Sequence, residues 1–310
     1  MYLSNINEMQ KVSPEIKFYV EKRPIYFHRT DDWSGDQIQE LIPNRYALIR
    51  TDTMESLSVV TEKYKLRMYE ELVQKVSDVI LSSRKLSKDR VSVKDWTNRS
   101  GSKFRRDVIF WDHENPIMDA NKEKTVPHLR VYASYDSSWA EQIIFGSVYV
   151  LCMNGLVRPD WQFRVYNRHS AKRELNYSVE LFESGLKAQE KLGHELKSLI
   201  RSAVTSEEVE KLFKNTLAKI KNEREFSWSF SDKAMKELSD LWTRYYKAYG
   251  SNLFAVYQAA THWSSYPITR GDKQLVVRRR EDKVSKMLNH ELWSDLTFKD
   301  AHSKVQNVIV

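Results

Sequence analysis

The clearest hydrophobic pattern in the chain lies between residues 129 and 169, where three strand-like segments follow one another. Leu129–Ser134 alternates apolar and polar positions, and Trp139–Cys152 is apolar on both faces, as a central strand is. Asn154 and Gly155 then favour a chain reversal because both tolerate positive φ. In the third segment, Trp161–His169, one face carries Trp161, Phe163 and Val165 and the other carries Gln162, Arg164, Tyr166 and Arg168. The pattern predicts a sheet with one apolar face and one face of arginines and tyrosines.

The remainder of the first half predicts a hairpin, a helix and one more strand. Residues 1–45 read as a polar lead-in with a short extended piece, Ile25–Phe27, and a turn at Asp31–Gly35. A helical stripe of apolar residues follows, and Asp112–Pro127 is polar enough for a surface loop. The predicted elements are a hairpin of Tyr46–Arg50 and Ser56–Leu66 around a turn at Thr51–Glu55, the helix Met68–Ser82 and the strand Arg105–Trp111.

After residue 171 the hydrophobic period changes from 2 to about 3.6 residues, which predicts helices. Thr205–Glu208 has the pattern of a capping box, Ser231 of an N-cap and Gly250 of a helix stop. The predicted helices are Leu175–Val204 (one helix or two), Glu207–Arg224, Ser231–Tyr249, Asn252–Ser264 and Glu281–Trp293, with a strand-like basic run at Lys273–Arg280. The fold class is therefore α+β. We expect an antiparallel sheet over residues 46–66 and 105–169, backed by amphipathic helices, in a β-rich part over 1–170, and a helical part over 171–310 that packs with it as one unit.

Composition narrows the class of protein further. The chain of 310 residues carries a formal charge of +8 together with 9 Trp, 16 Tyr and 12 Phe. Basic surfaces with aromatic platforms are typical of proteins that hold single-stranded nucleic acid. The single cysteine, Cys152, excludes an intrachain disulfide, and its apolar strand predicts a buried, inert thiol. No apolar run is long enough for a membrane helix and no signal peptide is apparent, so we expect a cytoplasmic protein without a membrane partner.

Catalytic motifs are scarce. The sequence contains no phosphate-binding glycine loop, nucleophile elbow or H-E-x-x-H motif, so we expect no cofactor and no metal, and the sequence favours a protein that is not an enzyme. Asp112, His113 and Glu114 are adjacent and cannot all face one ion. Asp272 with Glu281-Asp282-Lys283 fits the D…E-x-K pattern of metal-dependent nucleases, but acidic residues are also favoured in a first helical turn.

The basic residues form the more coherent candidate site. Arginines and tyrosines on strands present charge and stacking surfaces in a fixed plane, which suits a phosphate backbone. Solvation of each charge, or pairing with a nearby carboxylate, is the structural alternative. The candidate nucleic-acid-binding residues are Arg164, Tyr166, Arg168, Arg130, Tyr132, Lys63, Lys65, Arg105, Arg106, Arg278, Arg279 and Arg280.

Three short segments also resemble a known family. SYDSSWA (Ser134–Ala140), VLCMNGL (Val150–Leu156) and YNRHS (Tyr166–Ser170) are similar to the phage/plasmid-like protein family, a domain of unknown function found in phages and plasmids. Looser similarity at Tyr46–Leu72 and Phe254–Tyr266 extends the resemblance over most of the chain. The resemblance implies a setting on mobile elements rather than a chemical activity.

Three functions remain open at this point. The first is a non-enzymatic protein that binds single-stranded DNA, or RNA, without sequence specificity and acts in annealing or recombination, by analogy with phage annealing proteins that form oligomeric rings. The second is a metal-dependent nuclease or other DNA-processing enzyme of a mobile element. The third is a structural or host-interaction protein. Aromatic strands and amphipathic helices leave apolar surface uncovered, so we also expect a homo-oligomer.

Overall fold

A computed structural model describes most of the chain. The described residues are 12–31, 33–83, 85, 90–113, 115–116, 124–149, 154–156, 163–167, 178–222, 227–270 and 272–297. Cys152, Trp161 and Arg168, which carried sequence-based predictions, lie outside these residues.

The strands of the described residues belong to three sheets, and their pairings are antiparallel wherever the register is described. The strands are β1 (Val20–Thr30), β2 (Gln37–Arg50), β3 (Ser56–Thr61), β4 (Val91–Thr97), β5 (Lys103–Phe110), β6 (Asn115–Pro116), β7 (Lys124–Ser134), β8 (Glu141–Tyr149), β9 (Asn154–Leu156), β10 (Phe163–Asn167), β11 (Lys219–Asn222) and β12 (Ser227–Phe230). The first sheet has the order β1-β2-β3, and the third is the pair β11-β12. The second has the order β10-β8-β7-β5-β4, with β6 beside β7 and β9 beside β8.

The helices lie mostly in the second half of the chain, which makes the fold α+β as predicted. They are α1 (Tyr69–Ser82), α2 (Val179–Arg201), α3 (Ser206–Asn215), α4 (Asp232–Tyr249), α5 (Leu253–Ser265) and α6 (Lys273–Leu288), while residues 291–297 are also helical and Pro14–Ile16 form a 3-10 turn. No helix among the described residues is long and apolar enough to cross a membrane.

Contacts between residues divide the chain into two compact units. Unit 1 contains Met1–His113, His128–Phe145 and Phe163–Ser184, and unit 2 contains Glu114–Pro127, Gly146–Gln162 and Gly185–Val310. The predicted boundary between a β-rich part over 1–170 and a helical part over 171–310 stays a prediction.

Helix α1 anchors the core of unit 1. Its predicted apolar stripe is buried, and its first residue, Tyr69, stacks on Phe104 of β5 at 4.9 Å and on Tyr135 after β7 at 4.2 Å between ring centroids. The Tyr69 hydroxyl donates to the carbonyl of Gly101 at 3.1 Å. Gly101 has φ +79°, and a Cβ there would lie 2.7 Å from the ring of Phe18, so this turn requires glycine.

Helix α5 forms the centre of unit 2. Nearly all of its residues are buried, including the polar Gln258 and Thr261, and α4 and α6 pack against it. Asn252 begins the helix, because its side-chain oxygen accepts a hydrogen bond from the backbone N–H of Ala255 at 3.0 Å. A helix that is apolar on all sides is stable only inside a core, which is the environment this one has.

The local signals for turns and caps are confirmed. The chain reverses at Thr51–Glu55, and Arg50 N–H donates to the carbonyl of Glu55. Thr205 and Glu208 form the predicted reciprocal capping box. Ser231 caps α4, and Gly250 ends that helix at φ +84°. Short polar motifs succeed here because their geometry depends on only four or five neighbouring residues.

Predictions that depended on partners elsewhere in the chain are less accurate. The single antiparallel sheet predicted over residues 46–66 and 105–169 is two sheets, and β4 was not predicted. The lead-in over residues 1–45 contains the 11-residue β1 and most of β2. The loop predicted to reach Pro127 ends at β7, which begins at Lys124. The chain reversal predicted at Asn154 and Gly155 is wrong, because both residues belong to β9 and pair with β8.

Two assignments in the helical half are also wrong. The helix predicted over Glu207–Arg224 ends at Asn215, and the chain continues into β11. The strand-like run Lys273–Arg280 is the first half of α6. Its apolar positions Val277 and Val284 are buried at helical spacing, and Asp272 caps the first turn.

Candidate nucleic-acid interface

An exposed cluster of cations and rings lies on the β11–β12 hairpin of unit 2. Helix α3 ends at Asn215, and the buried residues Leu217 and Ala218 lead directly into β11. The Lys283 ammonium of α6 donates to the carbonyls of Leu217 and Lys219 at 2.8 and 3.0 Å, which fixes the base of the hairpin. Burial lowers the pKa of Lys283, and Arg280 and Lys286 lower it further. The short hairpin is thus held by the helical core.

One side of this hairpin carries both lysines of β11 and both rings of β12. Lys219 pairs with Phe230 and Lys221 with Trp228, and residues directly opposite one another in antiparallel strands share a side of the sheet. Trp228 is 62% exposed and Phe230 is 47% exposed. Ile220 alternates with the lysines and therefore belongs to the opposite side. We call Lys214, Lys219, Lys221, Trp228 and Phe230 the basic-aromatic face.

Two lysines of this face lie over the rings. The Lys219 ammonium lies 5.2 Å from the centroid of Trp228, and Lys214 from α3 lies 5.3 Å from that of Phe230. Lys214 also pairs with Glu210 at 2.7 Å. Across the described residues no ion pair involves Lys219 or Lys221. Exposed rings with ammonium groups beside them present a stacking surface and uncompensated positive charge together.

Several of the predicted site residues lie instead in a buried charge cluster on β5 and β7. Asp107 accepts from Arg105 Nη2 at 2.6 Å, from Arg130 Nε at 2.7 Å and from His128 Nε2 at 2.8 Å. The side chains of Arg105 and Arg130 are 11% and 12% exposed. We call Arg105, Asp107, His128 and Arg130 the buried charge cluster. Its two guanidinium groups share one carboxylate inside the protein.

Protonation of the cluster follows from this geometry. Burial alone would raise the pKa of Asp107, but the Arg105 and Arg130 guanidinium groups and His128 hold it well below its usual range. Burial lowers the pKa of His128 despite the opposing effect of Asp107. The ionised carboxylate can only accept, so Nε2 of the neutral His128 ring carries the donated proton. The cluster therefore has two positive charges and one negative charge at neutral pH.

Two neighbours of this cluster are buried as well. Arg106, opposite Asp95 in the β4–β5 register, forms a bidentate pair with that carboxylate at 2.6 and 2.7 Å and is 2% exposed. Tyr132 is 1% exposed, and its ring meets Trp139 edge-on at 5.3 Å. The expected open arginine-tyrosine face is therefore wrong for β5 and β7, where carboxylates and a tryptophan cover these groups.

The other predicted site residues are dispersed. Arg164 and Tyr166 lie in β10, opposite Ile144 and Gln142 of β8. Lys63 and Lys65 are exposed but follow the end of β3 instead of lying within it. Of the three arginines on α6, Arg279 is exposed, whereas Arg280 pairs with Glu237 at 2.7 Å.

Arg280 has a structural role in unit 2. Its guanidinium group lies 4.2 Å from the centroid of the Trp263 ring and donates to the carbonyl of Trp263 at 2.8 Å. These contacts join α6 to α5 and place the charge away from solvent, since the Arg280 side chain is 14% exposed.

The carboxylates of the D…E-x-K nuclease pattern do not lie close enough together to form a metal site. The Asp272 carboxylate accepts from the backbone N–H groups of Gln274 and Leu275 and acts as a helix cap. Glu281 is nine residues further along α6, about 13 Å at 1.5 Å per residue, so the two carboxylates cannot share one ion. Asp112 accepts from the Arg90 backbone N–H at 3.0 Å. The described residues contain no group of three or more His, Cys, Asp or Glu placed to hold a metal.

The basic-aromatic face was missed because residues 207–224 were assigned to one helix. A signal was present in the sequence: Lys219–Asn222 and Ser227–Phe230 both alternate with period 2, a few residues apart. The capping box correctly located the start of α3 but carried no information about its end.

Comparisons with known proteins place the chain in a family. Neither a comparison with curated proteins nor one with solved structures found a match. A family model described as a domain of unknown function (DUF932) matches residues 56–293. The match includes the buried charge cluster and the basic-aromatic face, while β1 and β2 precede it. Because the match covers most of the 310 residues, the chain belongs to the DUF932 family.

Proposed function

We propose that this protein binds single-stranded nucleic acid through the basic-aromatic face, without catalysing a reaction on it. The observation that carries the proposal is the pair of exposed rings, Trp228 and Phe230, each with a lysine ammonium within 5.3 Å of its centroid. Aromatic rings stack on any base, and lysines neutralise any phosphate, so this combination gives binding without sequence preference.

The spacing of the rings favours an unpaired strand. Trp228 and Phe230 are two residues apart in one strand, which separates their Cα atoms by about 6.8 Å. That is roughly twice the 3.4 Å rise of stacked bases along one strand of DNA. Each ring can therefore accept its own base from an extended strand, whereas bases inside a duplex are already stacked on one another.

Three ammonium groups set the expected strength of the electrostatic contribution. Each phosphate neutralised on a single strand contributes about −0.7 to the slope of log affinity against log salt. Glu210 partly neutralises Lys214, while Lys219 and Lys221 have no described carboxylate partner. We expect a slope of roughly −1.4 to −2 from this face.

The biological setting is part of the same proposal. The resemblance to phage and plasmid proteins supports a role on mobile DNA in the cytoplasm of a bacterial host, where a non-specific single-strand binder would assist annealing or recombination. The expectation that Arg164, Tyr166 and Arg168 contact the strand stays a prediction beside this new face.

A titration of the purified protein tests the proposal. Labelled single-stranded DNA, its RNA counterpart and duplex DNA are added at two salt concentrations, with and without Mg²⁺, and fluorescence anisotropy and fragment length are recorded. We expect single strands to bind more tightly than duplex and to remain intact. Mg²⁺-dependent cleavage would favour the nuclease alternative, and absence of binding at low salt would favour a structural or host-interaction role.

A further inference from the structure

The far end of the β1–β2 hairpin is a two-stranded arm. Strands β1 and β2 pair from Val20↔Arg50 to Thr30↔Gln37, but β3 pairs with β2 only between Arg45 and Ile49. In the described part of the chain, no third strand pairs beyond that level. We call Pro24–Asn44 the arm and the three-stranded remainder of that sheet the base.

A break in the strand register separates the arm from the base. Between the pairs Pro24↔Tyr46 and Tyr26↔Leu41, β1 contributes one residue and β2 contributes four. Pro24 and Pro43 have no backbone N–H to offer a neighbouring strand, and Asn44 adopts φ +57°. The pairing of β2 with β3 ends at Arg45, directly after Pro43 and Asn44, so within the described residues neither edge of the arm pairs with a further strand.

Both sides of the arm expose apolar residues. Tyr26 and Leu41 face each other on one side and are 45% and 56% exposed, while Phe27 on the other side is 53% exposed. Trp33 at the tip is 100% exposed. An isolated two-stranded hairpin is at best marginally stable in water. A surface that covers these residues would stabilise the arm, and the exposed apolar groups indicate protein rather than water as its environment.

The net charge of the arm indicates which kind of surface it can bind. The arm contains one arginine and four acidic residues, three of them around Trp33, for a formal charge of −3. The whole chain carries +8, so the residues outside the arm carry +11. An acidic arm is repelled by a phosphate backbone and by another arm, but it is attracted to the basic remainder of a second molecule.

We propose that the arm docks onto the body of a second copy of this chain, outside that copy's own arm, and so drives self-association. Each molecule supplies one arm and one receiving surface, so the contact is exchanged reciprocally in a closed dimer or repeated head to tail around a ring or along a filament. The inference does not rest on nucleic-acid binding, because the arm and the basic-aromatic face have no residue in common.

Analytical ultracentrifugation over a concentration series at low salt provides the first test. We expect concentration-dependent self-association of the parent, and at least about tenfold weaker association of Phe27→Ser/Leu41→Ser, since exposed anchors of this size dominate small interfaces. Gln39→Ser, at an exposed polar residue of the same arm, controls for general damage to the hairpin and should associate like the parent. A parent that remains monomeric at tens of micromolar, or an arm variant that associates unchanged, would overturn the proposal.

A second variant tests how much the negative charge of the arm contributes to self-association. Asp31→Asn/Asp36→Asn removes two charges, and an asparagine at 31 can still accept from the backbone N–H groups of Trp33 and Ser34, as Asp31 does at 2.8 and 3.0 Å. We expect weaker association at low salt and convergence with the parent at high salt. Equal association of this variant at every salt concentration would contradict the role of charge.

Site-specific crosslinking identifies the partner. A photoreactive amino acid replaces Trp33 in protein mixed from ¹⁴N- and ¹⁵N-labelled preparations. Crosslinked peptides that join the two isotopes, with the second peptide outside residues 24–44, support docking on another copy. Crosslinks confined to one isotope, or joining arm to arm, refute it.

Discussion

The buried charge cluster and the basic-aromatic face are both basic in the sequence, yet the fold uses their charges differently. Arg105 and Arg130 share the carboxylate of Asp107 inside unit 1, within 2.7 Å. Lys219 in unit 2 stands over the exposed ring of Trp228. Arginines whose charge is satisfied by a buried carboxylate are not available to a ligand, whereas lysines beside exposed rings remain available. The density of positive charge along a chain therefore does not locate a binding surface.

The largest expected effect is on stability and follows from removing the shared carboxylate. Asp107→Ala leaves two guanidinium groups in a largely buried site, which should lower the free energy of unfolding by about 3–5 kcal/mol. Urea denaturation followed by fluorescence measures the loss. Asp240→Ala, at an exposed position of α4, should change stability by less than about 0.5 kcal/mol. Similar losses of unfolding free energy for both variants would show that the Asp107 carboxylate matters no more to stability than an exposed carboxylate does.

The next effect is on binding. Trp228→Ala removes a stacking platform and should weaken single-strand affinity by about 1–3 kcal/mol while leaving the salt slope nearly unchanged. Ile220→Ala, on the opposite side of the same hairpin, controls for general damage to β11 and β12. Fluorescence anisotropy with a labelled oligonucleotide compares the two. If the isoleucine variant loses as much affinity as the tryptophan variant, stacking on Trp228 is not the cause.

Replacing a single lysine is expected to change nucleic-acid binding by a smaller amount. Lys221→Gln should reduce the magnitude of the salt slope by about 0.7, because one phosphate contact is lost. Arg164→Ala gives the parallel measurement for β10. Titrations at four salt concentrations determine both slopes, and an unchanged slope for Lys221→Gln would remove this lysine from the interface. Glu210→Ala, which frees Lys214 from its ion pair, should increase affinity slightly.

The smallest effect concerns pH. The pKa of His128 is lowered by burial, so the unfolded chain binds more protons than the folded one as pH falls below about 6.5. Stability should therefore be highest above that value and decline on acidification, with Asp107 adding a second decline below about pH 4 because its pKa is also depressed. Urea midpoints between pH 7.5 and 5 should fall less steeply for His128→Gln than for the parent. His28→Gln, at an exposed residue of β1, should follow the parent.

Local sequence determined much of this fold. The α+β class, α1, the capping box of α3 and the ends of α4 follow from periodicity and from short capping motifs. Each needs only residues within about one or two helical turns. The first strand of the β11–β12 hairpin was absorbed into a predicted helix because a capping box fixes where a helix begins and not where it ends.

Tertiary structure alone decided which charges are accessible. Arg105 and Arg106 are adjacent in the sequence, and alternation sends them to opposite sides of β5, yet both find a carboxylate: Asp107 for one and Asp95 for the other. Asp95 belongs to β4, a strand that the sequence pattern did not reveal. Arg130 reaches Asp107 only because β7 pairs with β5 in one particular register. Pairing of charges across strands depends on that register, and the one-dimensional pattern does not contain it.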